Sequence, residues 1–184
     1  MASKVDICNS ALAKLGCDRI NSLTDDNVRA KLCNDRYEII KKEVLRSAPW
    51  KFALKRASLA KTVNTPAFEY ESEFQLPSDC LRPWETFPNN ISWTQEQDKI
   101  LANEGELNIK YIYEAPEAKF DASFVEVLAL RLAMDLCYKL TNSTSREQEL
   151  RAVYTVMLAD ARSFSAQSSQ TETYISEDFT IVRY

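Results

Sequence analysis

Residues 37–55 read YEIIKKEVLRSAPWKFALK, and the change of period inside them decides the fold. Up to Arg46 the apolar residues recur at helical spacing. Tyr37, Ile40 and Val44 form one stripe, with Ile39 and Leu45 flanking it. Lys41, Lys42 and Arg46 occupy the last two turns, where the helix dipole favours cations. Ser47-Ala48-Pro49 then ends the helix, because proline lacks an N–H and restricts the residue before it. From Trp50 the period becomes two. Trp50, Phe52 and Leu54 alternate with Lys51, Ala53 and Lys55, which predicts a half-buried strand.

Working back from this stretch, Ala30 and Cys33 extend the same helical stripe toward a start at Thr24 or Asp25. Ser3 caps an earlier helix running to about Leu15. Val5, Cys8, Leu12 and Leu15 line one face of it, and Gly16 stops it. Working forward, Phe68, Tyr70, Ser72 and Phe74 alternate with Glu69, Glu71, Glu73 and Gln75, predicting a second strand. Short strands follow at 91–95 and 99–101, then a turn at Gly105. Leu107, Ile109, Tyr111 and Tyr113 alternate with Asn108, Lys110 and Ile112 in a further strand. Between these lies 82–88, RPWETFP, which reads as a rigid Pro-rich loop carrying exposed aromatics.

After Ala115-Pro116 the helical period returns. Asp121 or Ser123 caps a helix from about Phe124 to Leu140 that is apolar nearly all round, hence central. Arg131 and Asp135 face each other along it. Asn142 to Ser145 turn the chain into a last helix with the stripe Leu150, Val153, Tyr154, Met157, Leu158, Ala161 and Phe164. Beyond Gln167 the sequence turns polar and aperiodic, then aromatic and β-branched. The prediction is an α+β, mainly α fold. It comprises a bundle of about four helices over 1–167 with a small antiparallel β insert at about 50–114, and an extended C-terminal tail at 168–184.

Composition narrows the chemistry. The chain has no histidine, which removes Ser-His-Asp and Cys-His catalysis and His-ligated zinc or iron. It has two glycines, too few and too far apart for a Walker loop or a dinucleotide fingerprint. Its five cysteines contain no Cys-x-x-Cys and read as reduced thiols. The only chemistry left open is carboxylate-based, as in glycoside hydrolysis. Glu69, Glu71 and Glu73 on one strand face, or Glu85, Glu96 and Asp98 brought together by the fold, are the candidates. No cofactor or metal is expected, and no enzyme activity. No apolar run reaches the ~18–20 residues of a membrane span, and the first residues lack a secretory h-region. The chain is therefore expected to remain in the compartment where it is made.

Net charge is −4, yet basic residues cluster at 41–61. Lys41, Lys42, Arg46, Lys51, Lys55 and Arg56 are candidates for a patch meeting an acidic partner or DNA in a channel. Trp84, Phe87 and Trp93 are candidates for contacts with a neighbouring subunit or another partner, since aromatics are enriched at interfaces. Tyr174, Ile175, Phe179, Ile181, Val182 and Tyr184 give the tail a docking character, by strand addition or pocket insertion.

The order of these segments resembles the tail-tubular-protein-A family of podovirus head-to-tail connectors. The similarity is carried by 5–16 (VDICNSALAKLG), by 37–53 with its helix ending at Pro-Trp, and by the turn 74–82 (FQLPSDCLR). It continues in 98–101 (DKIL), 107–113 (LNIKYIY) and 120–133, from FDASF to LRLA. The resemblance implies a structural adaptor subunit in a ring of about twelve copies with heterologous contacts. Such a ring sits in the virion neck, between the portal protein and a tail nozzle of the tail-tubular-protein-B type, after assembly in the host cytoplasm. It implies no catalytic residues and no membrane. It also implies that the tail reaches the portal. The alternatives are a virion-associated carboxylate-based cell-wall hydrolase and a DNA-facing binding module.

Overall fold

Ser3 opens helix α1 (Lys4–Lys14) with a reciprocal cap. In the computed structural model, which describes residues 2–167, its hydroxyl accepts from the Asp6 N–H at 3.1 Å. The Asp6 carboxylate accepts from the Ser3 N–H at 2.9 Å. Gly16 takes φ +71° just past the helix, where the Cys17 N–H reaches the Leu12 carbonyl at 3.0 Å. Helix α2 (Val28–Arg46) begins later than its charge pattern predicts. Its cap is Asn27, which accepts from the Ala30 N–H at 2.9 Å. Asp25 is occupied elsewhere, accepting from the Asn21 and Ser22 N–H groups at 2.9 and 3.2 Å, so it closes the preceding loop.

The predicted strand at Trp50 is a correction. Trp50 precedes a single 3-10 turn, Lys51–Ala53, and strand β1 (Leu54–Leu59) follows. Trp50 is fully buried, and its indole N–H donates to the Val44 carbonyl at 3.0 Å. The same carbonyl also accepts from the Ser47 N–H at 3.2 Å and the Ser47 hydroxyl at 2.7 Å, so the indole adds a third bond at the helix end, one that turns the ring inward. The remaining strands are β2 (Ser72–Gln75), β3 (Cys80–Phe87), β4 (Trp93–Glu96), β5 (Lys99–Ala102) and β6 (Leu107–Tyr113). The predicted strand from Phe68 is shorter than its alternation, since Glu69 adopts φ +72° and breaks the extended run.

Two three-stranded antiparallel sheets result, ordered β1-β6-β3 and β2-β5-β4. Strand β3 overturns the reading of 82–88 as a loop. Pro83 is tolerated there because β3 lies at a sheet edge, and the register slips between Pro83 and Glu85.

Helix α3 (Ala122–Thr141), capped by Asp121 at 2.7 Å from the Phe124 N–H, packs against α1, α2 and the helix that follows it, α4 (Thr144–Gln167). It buries Phe124, Val127, Leu128, Leu132, Leu136 and Cys137, as its all-round apolarity predicts. An aromatic cluster joins the helices to the β segment. Phe124 meets Trp50 edge-on with centroids 5.1 Å apart, and Phe52 at 4.9 Å. The fold is α+β and mainly α, with one core running through both halves. Among the described residues no helix is long and apolar enough to cross a membrane.

Candidate functional site

Where α2 gives way to β1, the last turns of α4 lie alongside, and a cleft of about 850 Å³ opens between them. One wall is Ser47, Ala48, Pro49 and Lys51 at the junction, and another is Arg162, Ser165 and Ala166 of α4. The Arg162 guanidinium donates to the Ser47 carbonyl at 3.0 Å, and the Lys51 N–H donates to the Ser165 hydroxyl at 3.1 Å. These two bonds hold the walls together. The floor is the β1-β6-β3 sheet, where register places Arg56 opposite Lys110 and Lys110 opposite Glu85. Trp84 is the residue displaced at the β3 irregularity, which turns its ring to the cleft. Arg82 stands 5.3 Å from that ring and donates to the Arg46 carbonyl at 3.2 Å.

The electrostatics are lopsided. Lys51, Lys55, Arg56, Lys110 and Arg162 line the cleft against a single acid, Glu85. Lys110 pairs with Glu85 at 2.6 Å, and Lys55 pairs with Asp79 at 2.6 Å. Lys51 and Arg56 are exposed and have no ion pair among the described residues. The Lys55 ammonium, aided by the Tyr111 hydroxyl, holds the Asp79 carboxyl below its usual range against the pull of burial. Burial, with Asp79 beside it, pushes the Tyr111 phenol up to about 12.

The basic residues singled out from sequence therefore divide. Lys51, Lys55 and Arg56 reach the cleft, while Arg46 contributes its backbone carbonyl beside it. Lys41 does not belong to an exposed patch. It is only 5% exposed, with Glu38, Glu117 and Glu114 at 2.7, 3.3 and 3.4 Å from its ammonium. Burial works against its charge, but Glu38 and Glu117 outweigh burial and raise its pKa. Lys42 pairs with Glu114 at 3.2 Å on the same side. Glu38 is a neighbour on the same helix, but Glu114 and Glu117 come from a distant segment that a charge count along the chain cannot see. Lys110 and Arg162, which the sequence reading missed, come equally from distant segments and carry no local signal.

The aromatic candidates are also separated. Trp84 faces the cleft, Phe87 is half-buried with the Lys110 ammonium 4.9 Å from its ring, and Trp93 lies in the other sheet opposite Ala102. Tyr174, Ile175, Phe179, Ile181, Val182 and Tyr184 lie outside the described residues.

Of the carboxylate candidates, Glu73 and Asp98 come near enough for the Asp98 charge to act on Glu73, but both are held ionised by other partners. Glu73 is bound by Lys99 at 2.7 Å and by the Thr62 hydroxyl, and these partners lower its pKa. Asp98 accepts from Gln75 at 2.9 Å, which lowers it too. Glu85 lies on the other sheet. A glycosidase acid needs the opposite displacement. Burial pushes the Cys80 thiol up to about 11, away from the reactive thiolate. All five cysteines are free, and the described residues contain no group of three His, Cys, Asp or Glu side chains able to hold a metal. The arrangement is suited to holding an anionic chain with apolar side groups. No protein-family model matches this sequence, and no curated protein matches it.

Proposed function

We propose that this chain is a non-enzymatic structural subunit of a phage head-to-tail connector ring, placed between the portal and the tail nozzle. The observation that carries the reading is where the family-like segments fall. They coincide with α1, with the end of α2 and its turn into β1, with the start of β3, with β5 and β6, and with the start of α3. The helical bundle with a β insert is the architecture the resemblance implies. Closed rings use heterologous contacts, so each subunit must present two unlike faces. The basic cleft is one such face. The outer side of α4 is another, with Val153, Val156 and Phe164 exposed by 49%, 61% and 62%. In this proposal the copies number about twelve, the partners are the portal and a nozzle protein, and the protein works in the virion neck after assembling in host cytoplasm.

The test is native mass of the purified protein, alone and mixed with the portal ring of the same phage. The proposal expects one defined ring of this subunit on each portal. A protein that ignores the portal across a wide concentration range contradicts it. The cations of the cleft favour a second reading, a DNA-facing module. That reading expects duplex affinity falling steeply with salt, with a slope set by the phosphates contacted.

A further inference from the structure

We propose that the basic cleft is the docking site for the chain's own acidic segment 172–184, which occupies it in the free protein. Whether or not the protein assembles on a portal, three observations point to this occupant.

The first is position. Arg162, Ser165 and Ala166 form one wall of the cleft, so the chain leaves α4 at the rim. The four residues 168–171 span at most about 14 Å when extended, enough to bring the following residues from the rim into an opening of this size. A segment joined by so short a linker meets its own cleft at an effective concentration on the order of millimolar, far above any free competitor at working concentrations.

The second is charge. The cleft sets five cations against Glu85, and Lys51 and Arg56 have no ion pair among the described residues. The segment carries Glu172, Glu177 and Asp178 against Arg183 alone. On a chain of net charge −4 the basic cleft is the local exception, and the segment's acids complement it. That makes nucleic acid, repelled by the rest of the molecule, the weaker candidate.

The third is apolar fit. Ala48, Pro49, Leu54, Trp84 and Ala166 put nonpolar surface beside the cations. Glu177-Asp178-Phe179-Thr180-Ile181-Val182 places acids directly before aromatic and branched side chains. The volume, about 850 Å³, holds a few side chains rather than a folded partner. Docking therefore covers Trp84 and the loose cations, and a partner that needs either the cleft or the segment must first separate them.

The experiment uses the full chain under limiting chymotrypsin, with cuts after Tyr174 and Phe179 read by intact mass. Cleavage is expected to be slow at low salt, faster at high salt, and independent of protein concentration. Lys51→Glu with Arg56→Glu should speed it about tenfold, since turning two exposed attractions into repulsions shifts docking about threefold each. Both side chains are exposed, and an unchanged thermal midpoint certifies the fold of the variant. Adding Glu177→Lys and Asp178→Lys to that variant should restore slow cleavage, which a merely unfolded or aggregated variant would not do. Cleavage that ignores the cleft reversal, or that the swap fails to restore, overturns the proposal. Protection that grows with protein concentration overturns it as well, by assigning the segment to a second copy. If the reversed cleft loses salt-sensitive binding of a short DNA duplex while tail cleavage stays the same, the cleft serves phosphates and the proposal fails.

Discussion

Helix α3 and strand β6 are the central elements of their halves, and they are enclosed differently. Helix α3 packs against α1, α2 and α4, and exposes a large apolar side chain only near its end, at Tyr138. Two-pronged ion pairs clasp it to α2: Arg36 to Asp135 at 2.7 and 3.0 Å, and Arg131 to Glu43 at 3.0 and 3.0 Å. Strand β6 is flanked by β1 and β3 but covered fully on one face only. Leu107 and Ile109 are buried, while Asn108 is exposed and Lys110 half-buried. From Tyr111 onward, near the junction with α2, every residue is buried. The cleft floor is the part of the sheet that stays open. The helical half supplies rigidity, and the one-sided sheet supplies the surface that is left to bind.

Trp50 sits where the two halves meet, so it tests whether they are one cooperative unit. Trp50→Ala removes a fully buried indole, its bond to Val44 and its contact with Phe124, and should cost about 3–5 kcal/mol. Urea unfolding read by far-ultraviolet dichroism should remain a single transition at a lower midpoint. Two separate transitions would mean that the helices stand without the sheets, and the contrast drawn above would become one between independent domains.

Lys41 tests the enclosure of the helical half. Lys41→Ala leaves Glu38, Glu114 and Glu117 facing one another, and should cost about 2 kcal/mol, discounted from a fully buried pair because Glu38 and Glu114 reach solvent. The pH dependence has a definite sign. Burial pushes the Glu38 carboxyl up, but Lys4 and Lys41 outweigh it and hold it below its ordinary 4.5. Its contribution is full above that ordinary value and is lost as pH falls through the lowered one. Acid titration of wild-type stability should therefore drop more steeply below pH 4.5 than that of the variant. Parallel curves would show that Lys41 does not hold Glu38 ionised.

The parts of this fold that were legible in the sequence are those with local causes. The Ser3 cap, the α2 stripe, the all-round apolarity of α3 and the alternation of β6 each depend on residues within a few positions of one another. What was not legible depends on partners far along the chain. Pro83 marks a loop by propensity, yet it sits in a strand because that strand is an edge. Lys41 looks like a member of a basic run, and it is buried because segment 114–117 brings it two carboxylates. The Arg131–Asp135 pair is present at 3.8 Å as its spacing predicts, but the shorter bonds of both residues go to α2. In the cleft, Lys51, Lys55 and Arg56 stood out as charges on consecutive elements. Lys110, Arg162 and the turned Trp84 became part of the site only through sheet register and the docking of α4.

Asp135 measures what the clasp between α2 and α3 contributes. Asp135→Asn keeps the shape and removes the charge that Arg36 and Arg131 share, so it should cost about 1.5 kcal/mol, given that both arginines retain solvent contact. High salt should narrow the difference between the variant and the wild type in urea midpoint. A cost near zero would assign the tightness of the helical half to apolar packing alone.

The smallest effect belongs to the open half. Trp84 is half-buried, stacked near Arg82 and displaced from the β3 register, so little of the fold depends on it. Its neighbours Pro83 and Thr86 are buried and keep the strand in place without it. Trp84→Ala should cost about 1 kcal/mol, far less than Trp50→Ala, because most of the ring's surface change is cleft wall rather than core. Thermal unfolding of the two variants side by side decides the matter. A Trp84→Ala cost approaching that of Trp50→Ala would mean that the cleft wall is as tightly built as the helical core, and that the sheet's open face is not a surface kept for binding. A small cost, together with faster chymotryptic cutting after Phe179, would place Trp84 among the residues that hold a ligand rather than the fold.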